Sequence, residues 1–210
     1  MQSKIKPIFF LFIIFSFINI SNSNAIEPDI FVQSTVNRAS QILGDNLTVD
    51  KKIEELKTIA QETVDIEGIG MYTLGAYRKT LNEDQKEKYK KLFKEYFLKT
   101  FSSRLAEYSN PEIQVNSKEK INENYTIVSS ILVATETRPE ININWRIYTK
   151  NPDNPKIRDL IIEGLSLART QKEEFASVLN TNNGDAQACQ WFFDSLKTCQ
   201  ENVKYGSQSQ

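Results

Sequence analysis

The sequence predicts an α+β domain in which helices come first, an antiparallel sheet of about four strands follows, and one more helix closes the chain. Two observations carry this reading. Apolar residues recur at helical spacing from Val32 to Tyr108, and from Glu112 the period switches to two and holds until Ala168. A third bounds the size: of 210 residues the first 25 read as a leader, leaving enough chain for one domain around a single core.

The leader is recognised by Lys4 and Lys6 ahead of the apolar run Ile8 to Ile20, with Ser23-Asn24-Ala25 supplying small residues where cleavage is expected. The run is too short to cross a bilayer. Residues 1–25 are therefore read as a secretory signal peptide, 26–200 as one domain and 201–210 as a disordered tail. In an exported chain the two cysteines, Cys189 and Cys199, are expected to pair as a disulfide.

Four helical patterns precede the strands. Val32, Val36, Ala39 and Leu43 form the first, with Gly44 as its expected cap, and Val49, Ile53, Leu56, Ala60 and Val64 form the second. Asp65 to Tyr77 carries Gly68, Gly70 and Gly75, which predicts either a broken helix or backbone packed closely on a neighbour. Asn82 and Gln85 have the spacing of a capping box. They open a helix with one wide stripe: Tyr89, Leu92, Phe93, Tyr96, Phe97, Phe101, Leu105 and Tyr108. A stripe this aromatic meets either a large core or a large apolar ligand, and periodicity alone leaves both open.

Pro111 ends that helix, and alternation begins with Ile113 and Val115. In the next strand Tyr125, Ile127, Ser129, Ile131 and Val133 oppose Thr126, Val128, Ser130 and Leu132; the set with Ile131 and Val133 is expected to face inward. Ile141, Ile143, Trp145 and Ile147 alternate with Asn142, Asn144, Arg146 and Tyr148. A turn over Asn151-Pro152-Asp153-Asn154-Pro155 leads to a last strand read from Lys156 to Ala168, in which Gly164 either leaves room beside Leu160 and Ile162 or marks a bulge or tight bend. Thr170 to Leu179 is helical again. The short links imply an antiparallel meander, because parallel neighbours need long crossovers.

Composition narrows the chemistry. Without the two leader lysines, 24 Lys and Arg stand against 27 Asp and Glu, scattered rather than striped, which argues against a nucleic-acid partner. The chain has no histidine, so the commonest general base and metal ligand is missing. Ser166 lacks an activating imidazole. Asp159 and Glu163, four apart on a strand, lie about 13 Å apart, too far to act as a carboxylate pair, and read as solvent-facing or docking charges. The lysines from Lys86 to Lys94 alternate with glutamates as a solvated face does. No catalytic residue, metal or cofactor is predicted.

Three segments read together: Val64-Asp65-Ile66 running to Leu74-Gly75-Ala76-Tyr77, Gln85 with the aromatic helix behind it, and Asp159 to Leu167 continuing to Phe175. In order and spacing they resemble the MlaC family, also called toluene-tolerance or ABC-transporter auxiliary proteins, over about residues 30 to 185. The resemblance implies a periplasmic phospholipid carrier without catalysis. It implies a twisted sheet wrapped by helices in a nuclear-transport-factor-like cone with an apolar pocket. Phospholipid is then cargo, and the partners are an inner-membrane ABC transporter complex and an outer-membrane lipoprotein complex; the chain itself is expected to be a monomer. On that resemblance the lipid-binding residues are Leu74, Phe93, Phe97, Phe101, Ile131, Val133, Trp145, Ile147, Leu160, Ile162, Gly164 and Phe175, with Tyr89, Tyr96 and Tyr108 towards the edge. Pro155, Arg158 and Arg78 depart from the family pattern, which carries aromatic residues there more often. Two other readings use the same fold: a carrier of hopanoid or other polycyclic lipids, or an enzyme. The enzyme would need a buried acid such as Asp65 or Asp159 aimed into the cavity.

Overall fold

The computed structural model describes residues 25–109 and 111–181, so the leader, both cysteines and the tail lie outside the described residues. The helices are α1 (Pro28–Gly44), α2 (Val49–Thr63), α3 (Ile66–Thr73), a 3-10 turn (Gly75–Lys79) and α4 (Glu83–Ala106). The strands β1 (Ile113–Asn122), β2 (Tyr125–Leu132), β3 (Ile141–Tyr148), β4 (Lys156–Ile162) and β5 (Leu165–Ser166) follow, then α5 (Leu167–Thr181). The sheet is an antiparallel meander in the order β1-β2-β3-β4-β5.

Local chemistry sets the helix ends. Thr48 and Asp65 cap α2 and α3 through their side chains. The capping box on α4 is complete: the Gln85 N–H donates to Asn82 Oδ1 at 2.9 Å and the Asn82 N–H donates to Gln85 Oε1 at 3.0 Å. Gly44 is the last residue of α1 rather than a left-handed cap, since the chain leaves through an extended Asp45. Both readings of the glycine cluster hold. Gly75 takes φ +56° where α3 gives way to the 3-10 turn, and a Cβ on Gly70 would lie 2.8 Å from the Phe93 ring.

Helices α1, α2, α4 and α5 line cavities against one face of the sheet, and register identifies that face. Val128 pairs with Trp145, Ser130 with Ile143 and Leu132 with Ile141, and these residues are buried or half-buried. Ile131 pairs instead with Asn142 and Ile127 with Arg146, so the expected face of β2 is reversed: Ile131 and Val133 do not face the helices. Ser130 makes the observed choice possible, because its hydroxyl accepts the Trp145 indole N–H at 2.8 Å and donates to the Ile143 carbonyl at 3.2 Å.

The last strand is also shorter than expected. Glu163 (φ 48°) and Gly164 (φ 82°) form a tight turn between β4 and β5, with both central residues left-handed as hairpin turns of this kind demand. Glu163 is fastened there by accepting a hydrogen bond from the Asn142 N–H. Gly164 thus shapes the turn and is exposed, with open space where its Cβ would be; it makes no room in a pocket wall.

Both ends of the sheet are met by other parts of the chain. The Gln33 side chain accepts from the Val115 N–H at 3.2 Å and donates to the Ile113 carbonyl at 3.5 Å, beside a bulge in β1. On the other side Val64 forms a parallel bridge with Ile157, and the Asp65 N–H donates to the Ile157 carbonyl at 2.9 Å.

Candidate functional site

Between sheet and helices lie two apolar chambers that share a wall. The first, about 260 Å³, opens between α4 and α5, and the second, about 170 Å³, lies under α1 and α2. Val64, Phe101, Trp145, Ile157 and Leu160 line both. Helix α4 builds the first wall because its aromatic residues recur every turn: Phe93 and Phe97 have ring centroids 6.2 Å apart, Phe97 and Phe101 5.3 Å.

Of the twelve residues expected at the site, six line a chamber. Phe93, Phe97, Phe101, Trp145 and Leu160 line the first, and Phe101, Trp145, Leu160 and Ile162 the second. Leu74, Ile147 and Phe175 are buried in the core behind these walls; Phe175 sets its edge on Phe93 at 6.1 Å. Ile131, Val133 and Gly164 line neither chamber, for the register and turn reasons given above. Sequence reasoning missed the walls given by Val36, Leu43 and Leu56, since their stripes read equally well as ordinary helix packing, and by Ile59, which it placed on no stripe. It also placed Tyr89 at an edge. Tyr89 is fully buried and shares a 2.7 Å hydrogen bond with Thr73 Oγ1, which itself donates to the Gly70 carbonyl at 2.7 Å. Burial pushes the Tyr89 phenol well above its ordinary pKa, against the pull of Thr73.

The charged residues of the first chamber are Arg104, Arg158, Asp159 and Glu174, whereas no charged residue lines the second. Two of the four are committed to the scaffold. Asp159 is 4% exposed, not solvent-facing as its spacing from Glu163 suggested. It accepts from the Ser166 hydroxyl at 2.6 Å and the Ala168 N–H at 3.0 Å, lies 3.6 Å from Arg146, and so ties β4 to the start of α5. Ser166 in turn accepts from the Arg169 N–H at 3.1 Å, which gives it a capping role. Arg158, set out by a bulge in β4, donates to Asp65 at 2.5 Å and to the Tyr125 hydroxyl at 2.7 Å, and lies 3.8 Å from the Tyr148 ring centroid. Burial works against its charge, but Asp65 and Tyr125 outweigh burial and hold its pKa above the ordinary value.

A wider groove of about 580 Å³ lies on the opposite face, lined by Ile121, Tyr125, Ile127, Asn144, Arg146 and Ile161 among others. Its volume is larger, but it shares Arg158 and Asp159 with the first chamber and adds Arg146, so the second chamber, which no charged residue lines, is the better match to an apolar chain. No group of three potential metal ligands occurs among the described residues.

Comparison with known proteins agrees with this architecture. A family model described as MlaC protein matches residues 33–191. The intermembrane phospholipid transport system binding protein MlaC of Haemophilus influenzae is 25% identical over 167 residues, covering 76% of this chain and 78% of that protein. A phospholipid-binding protein from Ralstonia solanacearum, solved in complex with a phospholipid, superposes with a TM-score of 0.69 at 18% identity, covering 84% of this chain and 99% of that one. With the family model spanning most of its length, the chain belongs to the MlaC family.

Proposed function

We propose that this protein is a periplasmic carrier that holds the acyl chains of a phospholipid in its two chambers and shuttles the lipid between the outer membrane and an inner-membrane ABC transporter. The observation that carries the reading is the pair of adjoining chambers with every charged lining residue in the first and none in the second. A phospholipid divides its chemistry the same way. Each methylene removed from water stabilises the complex by about 0.8 kcal/mol, so a long chain gains most where nothing polar must be desolvated with it. The names of the relatives point in the same direction: one is a phospholipid transport system binding protein and the other was solved with phospholipid bound. Binding and release need no bond to be made or broken, and the two acids that an enzyme might have used, the half-buried Asp65 and the buried Asp159, are occupied in capping and ion pairing.

The test is to export the full chain in a Gram-negative host, purify it and weigh it intact by native mass spectrometry, with organic extraction alongside. The expected result is close to one phospholipid per folded protein. A lipid-free folded protein, or a retained polycyclic lipid, overturns the proposal.

A further inference from the structure

Arg104 and Glu174 are the two charges of the first chamber that the scaffold does not use. Both are exposed. Among the described residues Arg104 has no ion pair or hydrogen bond, and Glu174 accepts only from the Gln171 amide at 3.0 Å. They stand on different helices: Arg104 is one turn beyond Thr100 on the chamber face of α4, and Glu174 one turn beyond Thr170 on the chamber face of α5. With Arg158 and Asp159 tied into the scaffold, the chamber thus carries one exposed cation and one exposed anion that have no ion-pair partner among the described residues.

We infer that Arg104 and Glu174 form a head-group site that takes the phosphate and the ammonium, respectively, of a zwitterionic phospholipid of the ethanolamine type. The inference rests on the carrier reading above and adds to it which lipid is preferred. A guanidinium offers the phosphate forked donors, and a carboxylate lining the same chamber attracts an ammonium but gains no such partner from a head group whose only charge is its phosphate. Arg104 therefore acts on every phospholipid, while Glu174 discriminates among them. Because both side chains are solvated, the preference expected is modest, roughly two- to fivefold.

The test offers purified, delipidated full-length protein equimolar phosphatidylethanolamine and phosphatidylglycerol with identical acyl chains, in mixed vesicles at low salt, and quantifies the lipids retained. The wild type should retain the ethanolamine lipid in excess. Glu174→Gln should bring the ratio to about one, Arg104→Ala should lower retention of both, and Arg104→Lys should restore part of it. Equal retention by the wild type, or a ratio unchanged in Glu174→Gln, overturns the head-group site while leaving the carrier intact. Failure of the folded wild type to take up either lipid overturns the carrier reading and this inference with it.

Discussion

The Trp145 indole N–H meets the Ser130 hydroxyl at 2.8 Å on the face of the sheet that the helices cover. Trp145 lines both chambers, so this bond orients the largest side chain of their shared wall. Ser130→Ala leaves a buried donor unsatisfied and should lower stability by about 1–3 kcal/mol. Urea unfolding followed by circular dichroism measures it.

Face assignment can be tested with one pair of variants. Leu160→Asp puts a carboxylate into both chambers and should reduce lipid retention by about tenfold or more. Ile131→Asp makes the same chemical change on the opposite face and should retain lipid as the wild type does. Equal losses in the two folded variants would count against the register.

Gly70 and Phe93 form a coupled pair. Gly70→Ala sets a methyl 2.8 Å from the ring and should cost about 1–3 kcal/mol. Adding Phe93→Leu should recover part of that loss, so that the double variant is more stable than the sum of the single effects predicts. Thermal melts of all four proteins close the cycle.

Acid sensitivity should concentrate where α1 meets β1. A hydrogen bond from Lys118, 2.7 Å away, holds the Asp29 carboxyl below its ordinary value of 3.8 and outweighs the opposing effect of burial. A carboxylate with a depressed folded pKa contributes stability that is present above its unfolded pKa and lost as the pH falls through the folded one. Lys118, raised by Asp29 and Glu27, contributes below its ordinary 10.5 and loses that contribution as the pH rises through its higher folded value. The stability difference between wild type and Lys118→Ala should therefore be largest between these limits, shrink at both ends, and shrink with added salt. Chemical unfolding across pH at two ionic strengths measures it.

Local chemistry was legible in the sequence and long-range pairing was not. Asn82 and Gln85 are three residues apart, so their capping box follows from spacing alone. Helical period put Phe93, Phe97 and Phe101 of α4 on one face, and the family resemblance, not the period, made that face the wall of a chamber. For β2 a period of two fits either face, and the deciding contact, Ser130 to Trp145, joins different strands. Asp159 reads as a surface acid until Ser166 and Ala168 fold back onto it, and that fold-back depends on the turn at Glu163-Gly164, which an unbroken strand reading passes over.

Gln33 and Val64 have a consequence for life at high concentration. An open sheet ends in rows of unpaired amides that recruit strands from other molecules, the first step towards aggregation. Here the Gln33 amide imitates a neighbouring strand at Ile113 and Val115, and the chain at Val64 does so at Ile157. The free remainder of β1 is charged, with Lys118, Glu119 and Lys120 in succession. The β1 border is thus occupied at Ile113 and Val115 and charged from Lys118 to Lys120, and β4 is occupied at Ile157, so these stretches of an unclosed, ligand-accepting sheet offer little to a strand from another molecule.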